Sequence, residues 1–364
     1  MNRLLKNVAR KAGCKAHGAE RPRHINRIGE GATTPLGINT AQRSRRLSAV
    51  VFQQPVKGER GFALVITLVV TALLVALVTE FIHDVYVATS WRATFKEAQQ
   101  ASLLAESGMT GGLRLLRDQL AIRQYSSLMD KWAQPFFIEN ETGSVTVTIE
   151  EENGKLCLPG LIRPDGSYNP VCQGIVTRLG KRLELPPELW AAAADWMDGD
   201  DETRTGGAEA SYYNSLQPPY APANRPLQTV DELGLVKGFA GGALEKLRPF
   251  VTVYPDVPGT PLAKININTA PKELLLALDE QMSEDLASRI VEYRSKTPFN
   301  APGELAGKIQ GMETLGVSLQ GLVGVKGNVY RLRSVANVGG TSRIIEAVAR
   351  IEGSQPKILY WREL

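Results

Sequence analysis

The longest uninterrupted apolar run covers residues 62–79 (FALVITLVVTALLVALVT), with no charge until Glu80. At 1.5 Å per residue, a helix of that length spans about 27 Å, enough for the hydrocarbon core of a bilayer. Beyond Glu80 the polarity mixes but the period stays helical. Ala98, Ala101, Leu104, Ala105 and Leu113 or Leu116 recur near every 3.6 residues as far as about Gln124, with Gly108, Gly111 and Gly112 as the few breakers. The spacing predicts one long helix, first apolar all round and then carrying a small-residue stripe that needs a surface to pack on. Residues 144–151 alternate Val145, Val147 and Ile149 with Thr146 and Thr148, a half-buried strand. Three more strands are predicted only at the end, over 329–338, 343–352 and 358–362, with Gly339-Gly340 as the turn between the first two. The stretch 171–325 breaks into short helical segments at 174–183, 187–197, 230–236, 242–247, 271–278, 283–295 and 301–308, punctuated by Pro and Gly. One strand so far from its partners predicts an α+β chain in which an all-helical domain is inserted into a small sheet. The expected segments are 1–61, a basic leader; 62–79, a transmembrane helix; 80–170, the helix continuation and first strand or strands; 171–325, the insert; and 326–364, the closing strands.

Charge sharpens this picture. Residues 1–61 carry 13 Lys and Arg against 3 acids, while the remainder carries 29 against 35. Lys57 and Arg60 precede the apolar run, and Glu80 and Asp84 follow it. Basic residues stay on the cytoplasmic side of a span, so the N-terminus is expected there and the acidic body across the membrane. A cleaved secretory signal fits less well, because the run is too long and no A-x-A site follows it. The leader itself, with Pro22, Pro35 and Pro55 and no apolar period, reads as disordered, or alternatively as a basic arm for nucleic acid. No Met lies between Met1 and Met109, so initiation near Val50 or Val51 is a further expectation. An acidic body disfavours phosphate binding as its main work. With His17, His24 and His83 as the only histidines, and no G-x-x-x-x-G-K-[ST], a Ser–His triad, a His-rich zinc site and a phosphate-binding loop are all poorly supplied. Catalysis is not expected.

Three clusters remain. Six carboxylates crowd into residues 195–209, with Arg204 as the only cation among them. Such repulsion in a Gly-rich loop calls for full solvation or for a hard cation, and oxygen-only donors suit Ca²⁺. Counting from Asp198, positions three, five and twelve are Asp200, Glu202 and Glu209, but position six is Thr203 where an EF-hand needs Gly. Cys157 and Cys172 flank a Pro/Gly-rich loop and would close a bridge worth about 3 kcal/mol in an oxidising compartment; two unpaired thiols are the alternative. Residues 264–294 resemble helix-hairpin-helix modules of DNA-uptake proteins. The hairpin that would bind phosphate reads Leu278-Asp279-Glu280-Gln281-Met282-Ser283 here, with no Gly and two adjacent acids. A nucleic-acid partner is therefore not expected.

Two resemblances give these features a context. Lys57-Gly58-Glu59-Arg60-Gly61 followed by Phe62-Ala63-Leu64-Val65-Ile66 resembles the processing site of type IV prepilins. That implies cleavage after Gly61 by the prepilin peptidase and N-methylation of Phe62. Most such subunits carry Glu at the fifth mature position, where this chain has Ile66. The run ADWMDGDDETRTGGAEASYYNSLQPPYAPANRPLQTVDELGLVKGF at 194–239 is similar to the signature region of the general secretion pathway protein K family, the large minor pseudopilins of type II secretion systems. The resemblance covers roughly 61–364. It implies a type IV pilin-like fold, a non-catalytic place at the tip of a pseudopilus in the inner membrane, and assembly with other minor pseudopilins and the major pseudopilin. It also implies Ca²⁺ in the inserted domain, for which Asp198, Asp200, Asp201, Glu202 and Glu209 are the candidate residues. A DNA-uptake or adhesion pilin is the alternative.

Overall fold

The computed structural model describes residues 60–364 apart from 261 and 354. The leader expected over 1–61 thus lies outside the described residues except for its last two. The chain divides into two compact units, Met1–Thr71 and Ala72–Leu364. In the first, the described residues are helical. They open helix α1, Arg60–Ile122, the one helix among the described residues long and apolar enough to cross a membrane.

In the second unit α1 changes character at Ala98. From there Ala98, Ala101, Ala105, Met109, Leu116 and Leu120 are buried, at the helical spacing that the sequence carries. Gly108 explains the closeness of the contact. A Cβ there would stand 2.6 Å from Ser334 Oγ and 2.7 Å from Val145 Cγ2, so only hydrogen lets the helix lie this low on the sheet.

That sheet is antiparallel, with β1 (Phe136–Glu139) and β2 (Ser144–Glu151) completed by three C-terminal strands. Strand β2 pairs with the first of these from Ser144↔Asn337 to Glu151↔Tyr330. Its alternation holds as read, with Val145, Val147 and Ile149 turned to the helix core. The expectation of a lone early strand is corrected, because β1 pairs with β2 on its other side. Three of its four residues are exposed, so it lacks the alternation that marks a half-buried strand.

The chain leaves the sheet immediately after β2, earlier than the expected boundary at 171. Leu156, Leu158 and Leu161 already belong to the core of the insert. Strand β3 (Leu156–Cys157) is followed by α2 (Pro170–Arg182), α3 (Glu188–Met197), α4 (Ala210–Tyr213) and α5 (Ala243–Leu247). Then come β4 (Val251–Thr252), β5 (Ile265–Asn266), α6 (Lys272–Ala277), α7 (Glu284–Lys296), α8 (Glu304–Lys308), α9 (Leu315–Ser318) and β6 (Val323–Gly324). Helices dominate, but all-helical is corrected by two parallel ladders of two residues each, β3–β4 and β5–β6. The chain then re-enters the sheet as β7 (Val329–Val338), β8 (Thr341–Glu352) and β9 (Gln355–Glu363), in the order β1-β2-β7-β8-β9.

Two apolar cores result. One lies between α1 and the sheet, where Trp132 meets Tyr330 edge-on at 5.2 Å between ring centroids. The other fills the insert, from Leu156 to Val325, and reaches Val329 and Val348.

Candidate functional site

Helix α3 ends among acids. Asp195 lies in its last turn and Asp198 caps it, donating its N–H to Ala194 O at 3.0 Å. Residues three apart share a helix face, so both carboxylates stand beside the negative end of the helix dipole, where a cation is favoured. The loop that follows returns through Gly206-Gly207 and brings Glu209 to the same place. One carboxylate oxygen from each of Asp195, Asp198 and Glu209 lies within 4.8 Å of the other two. All three residues are buried, at 0%, 3% and 2% exposure, which makes an unneutralised cluster costly. Gly207 is required by the return: a Cβ there would stand 1.9 Å from Asp195 Oδ2.

Arg204 supplies one positive charge. Its Nη1 donates to Asp195 Oδ1 at 2.7 Å and also to Asp198 Oδ2, and Nη2 donates to Gly166 O at 2.6 Å. Other oxygens remain without a protein partner, namely Asp198 Oδ1 and both Oε1 and Oε2 of Glu209. Burial, reinforced by the charges of Asp195, Asp198, Asp201 and Asp200, pushes the Glu209 carboxyl up to about 7. Burial likewise raises Asp198, against the pull of Arg204. The donors are hard oxygens only, and three of them are buried and unpaired. That set fits Ca²⁺.

The structure therefore brings together Asp198 and Glu209 of the five expected acids. Asp200, Asp201 and Glu202 stay exposed on the loop, and Asp200 Oδ1 is occupied in accepting the Glu202 N–H at 2.8 Å. Asp195 was missed because it reads as part of a helix. The usable signal was its spacing of three from Asp198 together with a Gly pair on the returning loop.

Aromatic rings hold the loop from behind. Trp196 meets Tyr213 at 5.1 Å, and Tyr213 meets Tyr212 and Tyr220 at 5.2 and 5.4 Å. Lys237 ties the Gly pair down through Nζ, which donates to Gly207 O at 2.9 Å, and its own N–H donates to Tyr213 Oη at 3.2 Å. These tyrosines thus brace the loop.

The other singled-out residues lie apart from this cluster. Cys157 and Cys172 are two free, buried thiols rather than a bridge, and burial raises both, Cys172 to about 12. Gly61 is helical, and a Cβ added there would meet nothing within 4 Å. Phe62 is 66% exposed. In the helix-hairpin-helix-like region, Asp279 Oδ1 accepts the Gln281 N–H at 2.9 Å, and Ser283 caps α7 by accepting the Leu286 N–H at 3.2 Å.

Comparison with known proteins agrees with this architecture. Two profiles described as type II secretion system (T2SS), protein K match residues 154–256 and 265–326, both within the insert. Type II secretion system protein K of Klebsiella pneumoniae is 30% identical over 259 residues, covering 67% of this chain and 77% of its own. The protein of that name from Pectobacterium carotovorum subsp. carotovorum is 26% identical over 258 residues, covering 65% and 76%. Among solved structures, a chain of the GspK-GspI-GspJ complex from the enterotoxigenic Escherichia coli type 2 secretion system shares the fold, with a TM-score of 0.64 at 21% identity over 75% of this chain and 99% of that one. With a pilin-like helix and sheet, a helical insert and this relationship to the Klebsiella protein, the chain belongs to the type II secretion system protein K family, the minor pseudopilins.

Proposed function

We propose that this minor pseudopilin sits at the tip of a type II secretion pseudopilus and supports export of folded proteins from the periplasm by assembly rather than by catalysis. The observation that carries the reading is the surface of α1 beyond the apolar run. Phe81, Ile82, Tyr86, Trp91, Phe95 and Leu103 are 61–76% exposed, although a bilayer core covers only about 20 residues of helix. An apolar helix surface of this length outside lipid calls for neighbouring helices. Other minor pseudopilins, as in the complex of the Escherichia coli relative, are the partners of matching chemistry, with the major pseudopilin below. Replacing Trp91 and Phe95 together by Asp should leave the full chain inserted and its melting temperature unchanged, yet strand exported proteins in the periplasm. Normal secretion by that variant would overturn the reading. A DNA-uptake defect with normal secretion would favour the alternative.

Three further elements belong to the same proposal. Prepilin peptidase cuts after Gly61 and Phe62 becomes N-methylated, leaving the chain anchored in the inner membrane with its body in the periplasm. The fold sets no packing requirement for Gly at 61, so a requirement for it in Gly61→Val points to the peptidase. Mass spectrometry of the mature chain checks this. Ile66 offers no carboxylate to a neighbour's N-terminal amine, and the insert obstructs addition above, so the subunit caps rather than extends. Ile66→Glu should then change assembly little, whereas long homopolymers of this chain would refute capping. Asp195, Asp198 and Glu209 hold Ca²⁺, which stabilises the folded state by about 2.7 kcal/mol at one hundred times its Kd. An unchanged melting temperature on chelation of the detergent-solubilised chain would remove the metal. The two adjacent acids Asp279 and Glu280 in the hairpin at 278–283 would repel a phosphate, which supports the reading without a nucleic-acid partner.

A further inference from the structure

The acidic cluster contains its own cation, and the geometry points to a purpose. We propose that Arg204 is a permanent, positively charged wall of the metal site, which it sets for a divalent rather than a trivalent ion. The inference rests on the Ca²⁺ reading above and adds a specificity-determining residue to it.

Arg204 is held by more than the carboxylates. Its Nη2 donates to Gly166 O at 2.6 Å, and the guanidinium lies 5.0 Å from the centroid of the Tyr168 ring. Its own backbone is fixed as well, with its N–H donating to Asp195 Oδ2 at 3.2 Å and its carbonyl accepting the Gly207 N–H at 2.8 Å. An arriving ion that drew Asp195 and Asp198 toward itself would leave the contacts to Gly166, Tyr168 and Gly207 intact. The Asp195 oxygens that accept from Arg204 each keep a second lone pair for an ion, and other oxygens of the cluster are free of Arg204 altogether. Asp198 Oδ1 and both oxygens of Glu209 are buried and unpaired, and the Glu209 side chain is the buried, unpartnered group that distinguishes this cluster from a solvated acidic loop.

Charge counting then fixes the valence. Among the buried residues, Asp195, Asp198 and Glu209 bring three negative charges and the partly buried Arg204 one positive charge, leaving two for the ion to neutralise, while the exposed Asp200, Asp201 and Glu202 are screened by water. In a buried site the residual charge is felt strongly, because little water screens it. Removing the guanidinium would raise the demand to three. The change in potential acts on a trivalent ion through three charges and on a divalent ion through two, so the two affinities must separate.

The test measures Ca²⁺ and Tb³⁺ binding to the detergent-solubilised full chain by calorimetry and by Tb³⁺ luminescence, in wild type, Arg204→Gln and Arg204→Lys. The quantity read is the ratio of the Ca²⁺ Kd to the Tb³⁺ Kd, in which a general loosening of the loop cancels. In Arg204→Gln the ratio should grow about tenfold or more, while Arg204→Lys, which keeps the charge, should stay within about twofold of wild type. An unchanged ratio in Arg204→Gln would overturn the inference, since it would mean that the guanidinium leaves when the ion binds. Binding of neither ion to wild type would overturn the Ca²⁺ reading and the inference with it.

Discussion

The pilin half and the insert are held together by different means. Between α1 and the sheet the contacts are apolar and periodic, with Ala105, Met109, Leu116 and Leu120 clustered with Val145, Val147, Leu332 and Ala347. The insert has a larger apolar core, yet its short helices are joined by long loops whose backbone groups need partners. Buried side chains supply them. Asn268 Nδ2 donates to Phe299 O at 2.9 Å and Val325 O at 3.3 Å, while its Oδ1 accepts the Phe299 N–H at 2.8 Å. Arg178 donates to Ala277 O and Leu278 O at 2.7 and 2.8 Å, closing the end of α6. A long helix and a sheet satisfy their own backbone, and a domain of short pieces borrows side chains to do so.

The largest expected effect breaks the pilin half through packing alone. Leu116 is fully buried among apolar neighbours, so Leu116→Ala should lower stability by about 2–5 kcal/mol. Leu116→Met, similar in volume, should cost under about 1.5 kcal/mol. Chemical denaturation of the full chain in detergent, with Trp fluorescence as the probe, measures both. A loss as large for Met as for Ala would deny that packing volume is what matters there.

The insert should answer the other way. Asn268→Ala removes few apolar contacts but strands the Phe299 N–H and two carbonyls, at a cost of about 1–3 kcal/mol. Asn268→Leu restores the volume without the hydrogen bonds, and should be no better than Ala. Recovery of stability by Leu would place the insert under the same apolar rule as the sheet and erase the contrast.

The same contrast explains what could be read from residues alone. Strands β2 and β7 were legible to the residue because alternation is a two-residue period sustained over eight and ten positions. The ladders β3–β4 and β5–β6 were invisible because two residues show no period. The insert was recognised as an insert, but its start was set too late: Leu156, Leu158 and Leu161 lie in a stretch broken by Pro159 and Gly160. At the acidic cluster, the acidic run marked the place, and of its acids Asp195, Asp198 and Glu209 converge. Which acids converge depends on where α3 stops and how the Gly pair turns, and both are set by tertiary packing.

Where the two regions join, two adjacent carboxylates behave oppositely, and they give the smallest effect and the sharpest test. Burial raises the Glu151 carboxyl to about 7, although Asn266 donates to it at 2.8 and 3.1 Å and the Ser126 and Thr269 hydroxyls assist. Asp130 adds to the rise, and Tyr330, also buried, faces it from β7. Glu152 is buried too, but Lys155 and Arg331, with the Thr252 hydroxyl, more than offset the upward push and hold it below its usual value. Glu151 thus joins the insert to the sheet through neutral hydrogen bonds, and Glu152 does so through ion pairs. For Glu151 the folded state binds more protons than the unfolded state between pH 4.5 and about 7, so stability falls as pH rises through that window. Between pH 6 and 8 the loss should be about 1 kcal/mol. Glu209 contributes with the same sign, so the measurement is the difference between wild type and Glu151→Gln. The variant should be less dependent on pH by that amount and relatively more stable at pH 8. For Glu152, whose folded value is depressed, the sign reverses: its contribution is present above the ordinary carboxylate range and is lost as pH falls below it. Glu152→Gln should therefore weaken the chain at pH 8 and matter less under acid. Parallel pH profiles for the two variants would show that the junction does not distinguish its carboxylates, and that neutral and ionic clamps are interchangeable there.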